Sequence, residues 1–158
     1  MDTIQLSVRK NENFDPNTLV GEEVVDIYIN GREIRDIIRE VELPFAIHDG
    51  KAEIAGDYER LEPKDVFLPN RHFLGEPDNR CLQKNGKVPI LRCKCGDFGC
   101  YPLYVRITIQ KDRVVWSDFE NPWNTSEWKK EPWDYSSLYF VFERDNYEIQ
   151  LSGQRKNI

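Results

Sequence analysis

The sequence predicts an α+β domain, and three observations carry that expectation. Short stretches alternate apolar and polar residues at the period of a strand; one stretch after residue 31 switches to the period of a helix; and the alternation resumes after residue 88 with links too short for parallel crossovers. The expected architecture is an antiparallel meander, with one main amphipathic helix packed on it and a short C-terminal helix. The 158 residues, read as a single domain 1–158, suffice to bury a core without a staple.

Taken in order, Ile4, Leu6 and Val8 alternate with polar residues and open the sheet. Residues 11–17, with Asp15-Pro16, form a loop. Val25, Ile27 and Ile29 give a second strand that ends at Asn30-Gly31, a hairpin signal that recurs at Asn85-Gly86. Ile34, Ile37, Ile38 and Val41 then fall at i, i+3, i+4, i+7, the stripe of a helix over 31–41. Arg32, Arg35, Asp36, Arg39 and Glu40 cover its outer side. This helix is expected to stop before Pro44, because the residue preceding proline avoids the α region. Residues 52–56 read as a short strand and 61–74 as a long connection with one helical turn. Later strands are expected over 88–95, 103–109, 114–116 and 138–142. Asp145 is placed as the cap of the last helix, which carries Tyr147, Ile149 and Leu151.

The most informative stretch is Cys93-Lys94-Cys95-Gly96-Asp97-Phe98-Gly99-Cys100. If residues 96–99 turn between two strands, Cys95 and Cys100 face each other, and Cys93, two residues before Cys95, shares their face. Three chemistries fit such a cluster. A structural zinc ion would take Cys93, Cys95 and Cys100 with Cys81 as fourth ligand, or His72 in its place, since zinc wants four nitrogen or sulfur donors in a tetrahedron. A redox pair would join Cys95 to Cys100. Without a cofactor, the cysteines simply pack as small apolar side chains. The C-x-C-x4-C spacing matches neither the paired C-x2-C of zinc knuckles nor the C-x-x-C of thioredoxin-like enzymes.

All four tryptophans lie between 116 and 133. Trp116 belongs to a strand and is assigned to the core. Trp123, Trp128 and Trp133 fall in a stretch rich in Asn, Pro, Lys and Glu, and are candidate anchors for a protein partner. No constellation for catalysis is visible. The chain has only His48 and His72, no nucleophile elbow, no phosphate loop and no dinucleotide fingerprint. Acidic neighbours such as Glu22-Glu23 and Glu40/Glu42 read as surface charge.

Charge is uneven. Residues 1–80 hold 10 Lys/Arg against 18 Asp/Glu, net −8, and residues 81–158 hold 12 against 10, net +2, for −6 in all. An acidic balance argues against nucleic acid; the acidic first half reads either as a solvated surface that aids solubility or as a face that steers a basic protein partner. No apolar run is long enough for a membrane span, and no secretory signal opens the chain, so a cytoplasmic setting is expected.

The cysteine segment, followed by Val114-Val115-Trp116-Ser117-Asp118-Phe119, then Phe140-Val141-Phe142 and Tyr147, resembles a family of uncharacterised bacterial proteins. They carry a C-x-C-G-x-x-G-C hairpin followed by a V-x-W-x-D-F strand. Ile29-Asn30-Gly31 and Ala55-Gly56-Asp57-Tyr58 share the likeness, which covers the chain beyond its first twenty residues. The resemblance implies a bacterial, cytoplasmic protein and carries no catalytic residue across. The expected function is a non-enzymatic protein-binding module, of which an immunity or antitoxin-like inhibitor is one concrete version. The alternative is a thiol- or zinc-dependent protein centred on Cys93, Cys95 and Cys100. The sequence leaves the oligomeric state open.

Overall fold

Strand β1 (Ile4–Lys10) pairs antiparallel with β2 (Glu23–Ile29) over its full length, from Ile4 opposite Ile29 to Lys10 opposite Glu23. Asn30 and Gly31 both take positive φ, 53° and 81°, which is the mirror-image turn that matches strand twist. That turn returns the chain into the two-residue β3 (Arg32–Glu33). The computed structural model describes residues 1–76 and 85–153, so Cys81 lies outside the described residues.

Helix α1 runs Ile34–His48, seven residues past the expected end and through Pro44. Ile34, Ile38, Glu42 and Ala46 recur at spacing four on its buried side. Packing of that side outlasts the proline, whose interior cost is about 3 kcal/mol. Pro44 itself is exposed, so water can satisfy the carbonyl it leaves without a donor. The Glu33 carboxylate accepts the amide of Arg35 at 2.6 Å and caps the first turn. Arg32 pairs with Glu40 two turns on.

Residues expected as a strand at 52–56 instead make a 3-10 turn over Ala52–Ile54. A single helical turn, α2 (Pro63–Val66), lies in the long connection, as expected. Strands β4 (Val88–Leu91), β5 (Leu103–Ile109), β6 (Arg113–Glu120) and β7 (Phe140–Glu143) then form a second antiparallel sheet in sequence order. The strands therefore make two sheets, three- and four-stranded, where one meander was expected. The last helix, α3 (Arg144–Leu151), has Glu143 at the cap position rather than Asp145. It joins the sheets: Gln150 accepts the Leu6 amide of β1, and Asp2 bridges to Phe142 beside it.

Trp116 sits in the core against the second sheet, with no exposed surface. The rings of Phe73, Phe142 and Tyr147 meet it edge-on at 5.4–6.3 Å. Its indole nitrogen donates to Tyr147, whose hydroxyl donates to the Phe73 carbonyl, so neither polar atom is stranded. Between Tyr104 opposite Glu120 and Arg106 opposite Ser117, β6 carries one extra residue. Asp118 takes φ 54° there, and this bulge turns Phe119 into the core.

Candidate functional site

The cysteine loop is built differently from the expected hairpin. Strand β4 stops at Leu91 rather than at Cys95, because Arg92 leaves the β5 partner and forms a two-bond bridge with Glu59 instead. Cys93 to Gly96 is then a tight turn, closed by the Gly96 amide on the Cys93 carbonyl at 2.8 Å. The Asp97 side chain accepts the Gly99 amide and closes a second turn that delivers Cys100. Three sulfurs still converge: Cys93, Cys95 and Cys100 all lie within 4.8 Å of one another.

What fixes the loop is backbone. The Cys95 carbonyl accepts the Leu19 amide at 3.0 Å. Gly96 has φ 91°, and a Cβ there would fall 2.7 Å from the Leu19 carbonyl carbon and 2.8 Å from the Val20 nitrogen. Only glycine tolerates both the backbone conformation and that approach. Beneath the loop, Arg92 is buried. It donates through Nη1 to the Gly96 carbonyl and through Nε to the Arg60 carbonyl, and it lies 5.4 Å from the Phe98 ring. Its Nη2 has no hydrogen-bond partner among the described residues.

Cys95 and Cys100 are exposed and Cys93 is half-buried, so the expectation that the cysteines only pack as apolar groups does not describe Cys95 or Cys100. Their protons are held unequally. Burial, aided by the neighbouring thiols, pushes the Cys93 thiol up to about 12. Burial also opposes ionisation of Cys95, but the Asp97 amide and the Cys93 and Cys100 thiols point at its sulfur and hold it below the usual thiol value. Such a trio can hold a metal ion. In a tetrahedral zinc site with Zn–S about 2.3 Å, sulfurs stand roughly 3.8 Å apart, about 1 Å inside the 4.8 Å within which the three lie. Three thiolates on a divalent ion carry a net negative charge, which the buried Arg92 guanidinium complements.

His72 is not part of this group among the described residues. Its Nε2 lies 2.5 Å from the Pro89 carbonyl, and its ring packs by Phe73 and Phe98 in the interior. Of the three tryptophans singled out as displayed, Trp123 and Trp128 are 64% and 78% exposed. Trp133 is only 5% exposed, a correction: it stacks on Phe45 at 5.9 Å and donates to Asp49. A loop rich in polar residues can still fold an indole back when a helix end offers both a ring and an acceptor.

Glu42, read as surface charge, is wholly buried. Its Oε2 accepts from Tyr58 at 2.6 Å, Tyr135 at 2.7 Å and Asn124 at 3.2 Å, and its Oε1 accepts the Gly56 amide at 2.7 Å. Tyr101, next to Cys100, donates to Asn124, and Asn121 donates to Tyr58. Tyr58 also stacks on Tyr101 at 5.2 Å. This network ties the cysteine loop and residues 121–135 to α1. One cue in the sequence pointed to it: Glu42 continues the period-four series of Ile34 and Ile38.

Fold and site together define an α+β protein with an exposed thiol cluster on a backbone-clamped loop. Comparison of the chain with models of known families, with curated proteins and with solved structures finds no match. No helix among the described residues is long and apolar enough to cross a membrane.

Proposed function

We propose that the protein is a non-enzymatic module whose Cys93, Cys95 and Cys100 supply three of the four donors of one structural zinc ion. The observation that carries this reading is the convergence of three sulfurs within 4.8 Å. The donor set is soft thiolate, which suits zinc over calcium or magnesium. Holding the loop shut is the role that fits, because all three donors lie within one eight-residue loop closed by backbone turns. Elemental analysis of the purified protein tests it. About one zinc per chain is expected, with stoichiometry lost in Cys95→Ser or Cys100→Ser and with thermal stability falling when a chelator removes the ion. Metal-free protein that takes up no zinc on titration overturns the reading.

A second reading rests on the tryptophans. Trp123 and Trp128 expose most of their rings, and Trp128 leans on His48 at 6.1 Å. His48 also lines a cleft of about 500 Å³ whose other walls include Phe45, Asp49, Lys129, Glu131 and Asp134. Aromatic surface with carboxylates suits a basic protein partner. The double variant Trp123→Ala/Trp128→Ala is expected to lose a partner that the wild type captures, and raised salt is expected to weaken that capture. Capture unchanged by both would refute this role for the face.

A further inference from the structure

We infer that Cys95 and Cys100 form a modification site: a hydroperoxide oxidises the pair to a disulfide, and this oxidation dismantles the metal site. Loss of the ion rests on the zinc reading above; the bond between the sulfurs does not.

Geometry selects the pair. Cys95 and Cys100 are the two exposed members of the trio, so an oxidant reaches them before half-buried Cys93. Their sulfurs lie within 4.8 Å. A disulfide needs about 2.05 Å, a closure of under ~3 Å that side-chain rotation on an exposed loop can supply. The four residues between them include Gly96 and Gly99, and the Asp97–Gly99 turn already holds both ends together. Cys93 is worse placed. It closes the tight turn through Gly96, only two residues from Cys95.

The chemistry balances without a further reactant. The exposed Cys95 sulfur, as its thiolate, attacks one peroxide oxygen. The S–O bond forms as the O–O bond breaks, giving the sulfenic acid and hydroxide (or the alcohol of an organic hydroperoxide). The Cys100 sulfur then attacks the sulfenic sulfur, the S–S bond forms, and the oxygen leaves and takes up the thiol proton as water. Two thiols are oxidised by two electrons and one peroxide is reduced. Of the three sulfurs, Cys93 alone then remains as a ligand, so two of the four donors that tetrahedral zinc takes are lost.

The test uses the full chain, zinc-loaded and metal-free, exposed to a small excess of hydrogen peroxide. Intact mass is expected to fall by about 2 Da in both forms, reversibly with a thiol reductant, and peptide mapping is expected to link Cys95 to Cys100. In the loaded form a chromophoric chelator should detect zinc release in step with the linkage. Cys100→Ser is expected to stop at the sulfenic acid, trapped by a dimedone adduct on Cys95, and to slow zinc release about tenfold or more. The linkage in metal-free protein is read independently, so failure of the zinc reading leaves this result standing. Gains of about 16 or 32 Da without a linkage, a linkage through Cys93 or Cys81, or unchanged mass would each overturn the inference.

Discussion

Replacing Glu42 with alanine is expected to destabilise the protein by about 3–5 kcal/mol, close to the largest effect a single substitution commonly has. Three donors lose their acceptor at once, the hydroxyls of Tyr58 and Tyr135 and the Gly56 backbone amide, and the Asn124 amide loses one of its two. The three side-chain donors cannot turn to water, because Tyr58, Asn124 and Tyr135 are buried with Glu42. For a domain of this size the loss corresponds to a fall in Tm of roughly 10 °C or more. Glu42→Gln is expected to cost less, about 1–3 kcal/mol, since only one oxygen becomes a donor and one partner is left facing it. Calorimetry or denaturant titration of both variants checks the ranking. An alanine variant within about 0.5 kcal/mol of wild type would mean that the network is not formed.

The pH dependence separates these variants further. Burial pushes the Glu42 carboxyl above its ordinary value of 4.5, against the pull of Tyr58, Gly56, Tyr135 and Asn124. Between 4.5 and its raised value, the folded protein therefore binds this proton more tightly than the unfolded chain does. Its contribution is full below that window and declines as pH rises through it. Glu12, Glu40 and Glu76 run the other way, because hydrogen bonds from Arg60, Arg32 and Arg71 hold them below 4.5. All three are exposed, so solvent screens their effect. Glu42→Gln cannot titrate. The stability difference between wild type and this variant is expected to narrow as pH rises through the window.

Much of the fold was legible because it follows from local patterning. Alternation at Ile4-Leu6-Val8 and Val25-Ile27-Ile29, the Asn30-Gly31 turn and the stripe beginning at Ile34 each depend on a few neighbouring residues. The meeting of the three cysteines was legible for the same reason, since two glycines in eight residues force the chain back on itself. Where the reading failed, a distant partner decided. Strand β4 ends at Leu91 because Glu59, more than thirty residues earlier, captures Arg92. Trp133 turns inward because Phe45 and Asp49 await it at the end of α1. Glu42 is buried because Tyr58, Asn124 and Tyr135, all later in the chain, converge on it. The short-range series Ile34, Ile38, Glu42 marks the buried side of the helix, but it does not encode which distant partners meet Glu42 there.

Arg60→Leu is expected to cost a similar amount, about 3–5 kcal/mol, for a different reason. The Arg60 guanidinium is buried and serves three carboxylates: Nη1 donates to Asp26 at 2.8 Å, Nη2 to Glu12 at 2.6 Å, and Nε lies 3.4 Å from Glu59. Asp26 and Glu59 are themselves buried. Removing the cation leaves two negative charges in the interior with only half-exposed Arg9 still paired to Asp26. The unpaired charges, not the lost attraction, make up most of the cost, and this has a consequence that can be measured. Adding Asp26→Asn to Arg60→Leu is expected to recover about 1–3 kcal/mol, a coupling that two independent losses would not show. Arg60→Lys keeps the charge but cannot reach Asp26 and Glu12 together as the planar fork does, so it falls between wild type and leucine. The Arg60 carbonyl, not its side chain, receives Arg92 beneath the cysteine loop. Zinc stoichiometry in folded Arg60→Leu is therefore expected to stay near that of the wild type while its unfolding midpoint drops. A cycle with no coupling between positions 26 and 60 would show that the buried pair is not formed in solution.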